Sequence, residues 1–277
     1  MNSSTAQGQL AVVATPIGNL ADLSERAKQT LADADVILAE DTRNTKQLLQ
    51  LAGVHYQKLV SLHEHNEVER AKQVASWLDA GQNLALVSDA GTPLISDPGY
   101  AVVNLLREAG YDLVAVPGPC ALIAALSISG LPTDRFTFEG FLPAKSGARK
   151  KRLQEIASNT GTSVMYESTH RIEDMLADIG ETMPGRQVVI ARELTKKFET
   201  VLTGTGETLV DQLKADPMQK KGEFVVMVAG NPEGGAGQLS EQQVIAALSE
   251  LPTKQAAKIM AQLFGGNKRE WYAKLDS

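Results

Sequence analysis

The sequence is poor in cysteine, in aromatic residues and in apolar runs of membrane-spanning length. Cys120 is the single cysteine among 277 residues, which excludes an intramolecular disulfide and a cysteine-rich zinc site. A lone thiol also fits a reducing, cytosolic setting. The N-terminus is polar, so we expect no secretory signal. Residues 113–133 carry no charge, but their prolines and glycines predict a strand, a tight loop and a short helix, which argues against a membrane span.

Signals for phosphate binding and for bulk electrostatic attraction are also missing. No Gly-x-x-x-x-Gly-Lys-Ser/Thr run occurs, which argues against a nucleoside triphosphate as the main ligand. The net charge of −6 argues against coating of nucleic acid or anionic membranes, although it leaves room for a local basic patch. His63 and His65 flank Glu64 with no thiolate nearby, so we interpret them as a solvated loop and predict no metal site.

Short apolar strands alternate with helical patterns up to about residue 116, which predicts an α/β domain. Each strand runs into a loop rich in proline, glycine and polar residues. The carboxyl ends of parallel strands lie at one edge of a sheet, so we expect these loops to converge on one ligand-binding crevice. The predicted strands are 11–14, 36–39, 84–87 and 113–116, the helices are 23–34, 42–52, 67–78 and 98–109, and the loops are 15–19, 40–43, 88–99 and 117–120.

A second α/β domain with more antiparallel character is predicted downstream, followed by a linker at 231–238 and a three-helix tail. Residues 253–277 carry five Lys or Arg against two acidic residues. Such a tail resembles a helix-turn-helix able to touch a phosphate backbone, although a solvated helical face has a similar composition. The predicted domains are 1–118, 119–232 and 233–277, with a helix between the first two in 117–133. The second-domain strands are expected at 136–141, 163–166, 188–191, 199–203 and 223–229, its helices at 149–158, 172–179 and 209–215, and the tail helix starts at Ser240, Thr253 and Asn267.

Seven motifs in order give the chain a more specific likeness. They are TPIGNL (15–20), AEDTR (39–43), SDAGTP (88–93), PGP (117–119), FEGFLP (138–143), YESTHR (166–171) and RELTKKFE (192–199). With them the chain resembles the tetrapyrrole methylase family over roughly residues 10–230 plus the tail. The resemblance implies two α/β domains of the class III type with S-adenosylmethionine in the cleft between them. It further implies methyl transfer to the ribose 2′-hydroxyl of a cytidine in the decoding region of 16S rRNA, and a homodimer.

The cofactor residues follow from that resemblance, loop by loop. The backbone groups of Gly91 and Ala121 are expected to contact the cofactor. Met165 and Glu223, at strand ends of the second domain, are the candidates for the far wall. The remaining cofactor candidates are Pro16, Ile17, Thr92, Ile95 and Cys120.

A ribose hydroxyl is a poor nucleophile while protonated, so a base or a cation that lowers its pKa would help. Glu40, Asp41 and Arg43 follow a strand that faces the predicted crevice, and they are the catalytic candidates. The alternative is structural, because Asp41 is also placed to cap a helix and Arg43 to pair with it.

Basic residues in three places are candidate RNA contacts. The run 145–152 supplies five positive charges and no negative one directly after a strand end, and is the best backbone-binding candidate. Basic groups in two further motifs are ranked as substrate contacts first and catalytic groups second. The candidates are Lys145, Arg149, Lys150, Lys151, Arg152, His170, Arg171, Lys196, Lys268 and Arg269.

Two other functions compete with RNA methylation. A methyltransferase of a small tetrapyrrole or of a diphthamide precursor would share the fold, but it would not need the basic run or the basic tail. A non-catalytic ribosome-assembly factor would bind RNA without methyl transfer, and the intact Gly91-Thr92-Pro93 loop argues against it.

Overall fold

The computed structural model describes residues 7–63, 66–232, 241–249 and 251–276. These residues form two compact units: the first holds residues up to 156 together with 161–229, and the second holds 157–160 together with the chain from 230 onward. The first unit contains two five-stranded sheets. The predicted linker residues 233–238, the helix start at Ser240, and Glu64 and His65 lie outside the described residues. None of the described helices is both long and apolar enough to span a membrane.

The first sheet is parallel throughout, as the sequence predicts, and its strand order is β3-β2-β4-β1-β5. β2 and β4 are buried along their whole length because helices cover both faces of the sheet. β3 was not predicted, since three half-buried residues give no readable alternation. The strands are β1 (Leu10–Val13), β2 (Val36–Ala39), β3 (Leu59–Ser61), β4 (Leu84–Val87) and β5 (Leu113–Val116), and the helices are α1 (Glu25–Asp33), α2 (Thr42–Leu51), α3 (Glu67–Asp79) and α4 (Tyr100–Glu108).

Two apolar clusters hold this sheet between its helices. One cluster joins Leu31 and Leu49 to Ile37, and the other joins Leu78 and Leu106 to the opposite face. Complete burial of a side chain of this size stabilises the fold by about 1.5–3 kcal/mol, so the sheet is a rigid support for the loops at its edge.

The second sheet is mixed, as predicted, with the order β6-β7-β10-β8-β9. Only β6 and β7 run parallel, and the other three pairs are antiparallel. Helix α6 starts three residues before the predicted Arg149. The elements are α5 (Ala121–Ser129), β6 (Phe136–Phe141), α6 (Ser146–Ile156), β7 (Thr162–Glu167), α7 (Ile172–Thr182), β8 (Val188–Arg192), β9 (Thr200–Gly204), α8 (Gly206–Ala215) and β10 (Phe224–Val228).

The described residues of the second unit form three short helices, as predicted. They are α9 (Glu241–Ala247), α10 (Thr253–Phe264) and α11 (Lys268–Leu275). The start of α11 is a capping box in which Asn267 and Glu270 satisfy each other's backbone N–H groups. Trp271 packs on Met260, and its indole N–H donates a 2.7 Å hydrogen bond to the carbonyl oxygen of Gly265. This small core packs the three helices together.

Candidate active site

The first and third strand-end loops are joined by backbone hydrogen bonds. The Thr15 N–H donates to the Gly91 carbonyl at 2.8 Å, and the Gly91 N–H donates back to Thr15 at 3.1 Å. Gly91 has a φ of +85°, and a Cβ there would lie 3.2 Å from the Ile17 side chain. Glycine therefore meets both a conformational and a steric requirement at this contact.

The second and fourth loops are held to the third by hydrogen bonds that involve side chains. The Asp89 N–H donates to the Glu40 carboxylate at 3.2 Å, and the Asp89 carboxylate accepts from Asn44 at 2.7 Å. The Thr92 hydroxyl donates to the Pro119 carbonyl at 2.9 Å. All four loops thus meet at residues 88–92, which confirms the predicted convergence.

The far end of the 88–99 loop is held by a buried carboxylate from α3. Glu67 is 8% exposed, and it accepts 2.8 Å hydrogen bonds from the N–H groups of Gly99 and Ala101 at the start of α4. Between the two anchors, Leu94 and Ser96 have φ values of +72° and +68°, which are costly for residues with side chains. Glu67 therefore stabilises a strained loop as well as a helix terminus.

Replacing Glu67 by alanine is expected to lower the free energy of unfolding by about 1–3 kcal/mol, because two buried donors lose a charged acceptor. It should also weaken cofactor binding, since the loop loses one of its anchors. Urea denaturation and calorimetric titration with S-adenosylmethionine measure the two effects. Glu69→Ala, at an exposed position on the same helix, is the control and should change neither. Equal behaviour of the two variants would contradict the anchoring role.

A cavity of about 390 Å³ opens beside these loops, between them and the edge of the second sheet at which β6, β7 and β8 end and β10 begins. Its volume lies in the range that holds a nucleoside-sized ligand. Apolar surface comes from Ile17, Ile95 and Leu194. The second sheet contributes residues from β6, β7 and β10 and from the turns next to β7, β8 and β10: Phe141, Tyr166, Glu167, Ser168, Leu194, Glu223, Phe224 and Val225.

The charged side chains that line the cavity are all acidic. They are Glu40, Asp89, Asp97, Glu167 and Glu223. No Lys or Arg is among the lining residues that the structure describes. Such a lining favours a ligand with positive charge over one with phosphates.

One of these carboxyl groups has an altered acidity. Burial, and then the negative charge of Glu40, raise the pKa of Asp97 from 3.8 to about 7. A carboxyl group that titrates near neutral pH can exchange a proton with a substrate at the working pH. Asp97 lies in the same loop as Gly91, which places a proton acceptor within the cavity wall.

The wall on the second sheet is built around Tyr166. Its hydroxyl accepts a 3.2 Å hydrogen bond from the Leu122 N–H at the start of α5, and its ring contacts Phe138 and Phe141 edge-on. Burial, and then the nearby Cys120, raise the pKa of the phenol, so it stays protonated near neutral pH. The residue is a fixed part of the wall.

The structure brings most of the predicted cofactor residues together. Six of the first-sheet candidates line the cavity, and so does Glu223, which also pairs with Lys196 at 3.2 Å. Pro16 is half-buried beside the cavity and does not line it. Met165 is fully buried on the other face of β7, and its neighbour Tyr166 takes the wall position instead. The six are Ile17, Gly91, Thr92, Ile95, Cys120 and Ala121.

The three catalytic candidates do not all lie at the cavity. Glu40 lines the cavity, whereas Asp41 and Arg43 do not. Asp41 is the N-cap of α2 and accepts 2.8 and 3.0 Å hydrogen bonds from the Arg43 backbone and side chain. The Arg43 hydrogen bonds lower the pKa of Asp41 to about 2, so it is a poor base. These two residues match the structural alternative of cap and ion pair.

The run 145–152 divides into exposed and engaged cations. Lys145 and Lys151 are exposed, but Arg149 is 2% exposed and its Nε donates a 2.7 Å hydrogen bond to Asp178. Arg149 is therefore a core residue and does not reach the surface. Lys150 pairs with Glu181, and Arg152 pairs with Glu139 and Glu155.

The other predicted RNA contacts lie in different settings. His170 is exposed, while Arg171 is half-buried and donates a 2.6 Å hydrogen bond to the Leu142 carbonyl. Lys196 pairs with Glu193 and Glu223. In the second unit, Lys268 and Arg269 are exposed in the first turn of α11.

Asp97, Phe141 and Tyr166 are among the cavity-lining residues that were not predicted as site residues. Phe141 and Tyr166 lie inside motifs that the sequence singled out and Asp97 lies in the predicted loop 88–99, so their positions in the chain were a usable signal. Neither the burial of Asp97 nor the stacked rings can be read from a motif. Among the described residues, no group of three His, Cys, Asp or Glu is placed to hold a metal ion.

Comparisons of sequence extend these observations. A family model described as Tetrapyrrole (Corrin/Porphyrin) Methylases matches residues 9–210, and one described as RsmI C-terminal HTH domain matches residues 240–275. A Xylella fastidiosa protein named ribosomal RNA small subunit methyltransferase I is 50% identical over 96% of this chain and 98% of its own. An Escherichia coli O157:H7 protein of the same name is 47% identical over 98% of this chain and 96% of its own.

Solved structures share the fold at low sequence identity. Diphthine synthase aligns with a TM-score of 0.60 and 16% identity, covering 80% of this chain and 90% of its own. Uroporphyrin-III-C-methyltransferase from Thermus thermophilus aligns with a TM-score of 0.53 and 20% identity, covering 80% and 94%. These likenesses concern the two-sheet architecture alone.

Proposed function

Since the chain belongs to the tetrapyrrole methylase family, within it to the group whose curated members are named ribosomal RNA small subunit methyltransferase I, we propose that it is an rRNA methyltransferase. Its methyl donor is S-adenosylmethionine. Its substrate is small-subunit ribosomal RNA, and the methyl group goes to the ribose 2′-hydroxyl of a cytidine in the decoding region of 16S rRNA. The observation that carries the RNA assignment is that the identity extends over nearly the whole chain.

The residues of the cavity fit this cofactor. S-adenosylmethionine, when bound, supplies a methyl group on a cationic sulfonium whose departure leaves a neutral thioether, so no acid is needed for the leaving group. Acidic side chains without a lining cation suit a ligand that carries positive charge. The apolar side chains of Ile17 and Ile95 offer a surface for the adenine. The backbone at Gly91 and Ala121 is close enough to the cavity to contact the ligand.

Asp97 is the residue that we assign as general base. Its carboxylate takes the proton of the 2′-hydroxyl while the oxygen forms its bond to the methyl carbon. A pKa of about 7 keeps the group largely ionised slightly above neutral pH and basic enough to accept the proton. Glu40 tunes Asp97 through its negative charge, which replaces its predicted role as a direct catalytic group.

RNA contacts are assigned to basic side chains that are exposed. In the first unit these include Lys145, Lys151 and His170, and in the second unit Lys268 and Arg269. Exposed cations can neutralise phosphates at a small desolvation cost, and their contribution falls as salt rises. The negative net charge of the chain is compatible with such local contacts.

A homodimer remains a prediction. Exposed apolar side chains support it on the edge strand β5 and on α5, where Val114 is 38% exposed and Ile123 is 51% exposed. An uncovered edge strand with apolar side chains is a surface that a second copy can cover.

The function is tested by methyl incorporation from labelled S-adenosylmethionine. The substrates are 30S subunits and free 16S rRNA from a strain that lacks this gene, and the product is mapped by nucleoside analysis. A single 2′-O-methylcytidine in the decoding region is the expected result. Cofactor binding without methyl transfer to RNA would instead favour the small-molecule methyltransferase or the assembly factor.

A further inference from the structure

An aromatic ring lies exposed at the rim of the cavity. Phe141 is the last residue of β6, it lines the cavity, and it is 56% exposed. A single exposed apolar side chain is common on protein surfaces, but Phe141 is exposed at the mouth of a ligand site, where an aromatic ring can contact the ligand. The geometry of β6 shows that the ring is directed there by a specific backbone feature.

A β-bulge turns Phe141 toward the cavity. Residues three apart on a regular strand point to opposite faces of the sheet. The pairing of β6 with β7 shifts between Phe138 and Gly140, so that Phe138 lies opposite Val164 and Phe141 opposite Tyr166. Because residues 164 and 166 share a face, both phenylalanine rings contact the Tyr166 ring. Gly140 permits the bulge with a φ of +63°.

The ring is held in a fixed place by its neighbours. It packs edge-on against Tyr166 with a centroid distance of 5.7 Å. The next residue, Leu142, is 3% exposed, and its carbonyl accepts a hydrogen bond from Arg171. On the other side, a Cβ at Gly140 would lie 3.5 Å from the Ser96 hydroxyl, so the bulge touches the loop that carries Asp97.

These contacts leave more than half of Phe141 exposed at a cavity that Asp97 also lines. A nucleotide whose ribose hydroxyl reaches Asp97 must bring its base to the cavity mouth, unstacked from its neighbours. Proteins hold such splayed-out bases by stacking them on aromatic side chains. The apolar side chains deeper in the cavity, such as Ile17, remain for the adenine of the cofactor.

We propose that Phe141 is the stacking platform for the nucleobase of the nucleotide that is methylated. This inference rests on the proposed function and extends it to the residue that positions the substrate. Stacking stabilises the bound RNA and aligns the ribose, so its loss acts mainly on KM for RNA.

Phe141→Leu keeps an apolar side chain at the rim but removes the aromatic face. Its KM for 30S subunits is expected to rise about 5- to 100-fold, with S-adenosylmethionine affinity unchanged by calorimetry. Phe141→Tyr keeps an aromatic face and should have a KM close to that of the wild type. A merely structural contact would not distinguish tyrosine from leucine in this way. Phe136→Leu is the matched control, because Phe136 is exposed on the same strand and does not line the cavity.

Three results would overturn the inference. An unchanged KM in Phe141→Leu, with the wild-type protein active on RNA, would reject stacking alone and leave the proposed function in place. A loss of S-adenosylmethionine affinity in Phe141→Leu as large as the rise in KM for RNA would show that the ring contacts the cofactor. Absence of RNA methylation by the wild-type protein, with cofactor binding intact, would reject the proposed function and this inference together.

Discussion

Asp97→Asn is expected to lower kcat for methyl transfer by about 10²- to 10⁴-fold, the usual contribution of a positioned base. Asparagine has nearly the same shape as aspartate and can still accept a hydrogen bond, but it cannot take the proton of the hydroxyl. The measurement is single-turnover methyl incorporation into 30S subunits at saturating cofactor. Asp134→Asn is the control, because it makes the same chemical change at an exposed position that does not line the cavity. Similar rates for the two variants would refute the assignment.

The pH dependence gives a sharper form of the same test. With a pKa of about 7 at Asp97, kcat/KM should rise about tenfold per pH unit below neutrality and level off above it. The Glu40 charge helps to raise that pKa, so Glu40→Gln should move the inflection to lower pH. An inflection that stays in place in Glu40→Gln would assign it to another group.

Stability should change in the opposite direction to activity. The pKa of Asp97 is raised in the folded protein, so its contribution to stability is full below the unfolded value near 3.8 and is lost as pH rises through about 7. Asparagine does not ionise, so the variant does not lose this stability as pH rises. Asp97→Asn should therefore melt at a higher temperature than the wild type at pH 8, and the difference should diminish toward pH 4. A variant that is inactive and more stable cannot be explained by misfolding.

The largest effect on stability is expected at the Arg149–Asp178 pair. Both side chains are less than a tenth exposed, and the Asp178 carboxylate also accepts 3.0 and 3.1 Å hydrogen bonds from the Ser146 hydroxyl. Asp178→Ala leaves the Arg149 charge buried without a counterion, which costs about 3–5 kcal/mol. For a unit of this size, that corresponds to a fall in Tm of roughly 6–20 °C. Thermal unfolding followed by circular dichroism measures the change.

Two further variants distinguish the loss of the ion pair from a general effect of substitutions in α6. Lys151→Ala, at an exposed position of α6, should leave Tm nearly unchanged. The double variant Arg149→Met with Asp178→Leu should recover most of the lost stability, because it removes both charges instead of one. If Asp178→Ala melts at the same temperature as the wild type, the pair contributes little to stability.

The chain illustrates what local sequence can determine. The apolar runs at 36–39 and 84–87 predicted two strands with correct bounds, since short runs that are apolar along their whole length are typical of strands buried on both faces of a parallel sheet. The polar, proline-rich and glycine-rich segments predicted where the strands end. The parallel arrangement then followed from the helices between them, and with it the convergence of four loops on one site. The capping box at Asn267 was readable for the same reason, because both of its partners lie within four residues.

Contacts between distant residues were decided only by the tertiary structure. Glu67 reaches the start of α4 across 32 residues, and Arg149 meets Asp178 across 29. Burial, which depends on the packing of the whole unit, moved Arg149 from the predicted surface to the core and raised the pKa of Asp97. The sequence by itself determined the elements and the edge of the sheet at which a site forms. The tertiary structure decided which charges at that edge are exposed, paired or poised to exchange a proton, because solvation and long-range pairing exist only in the folded chain.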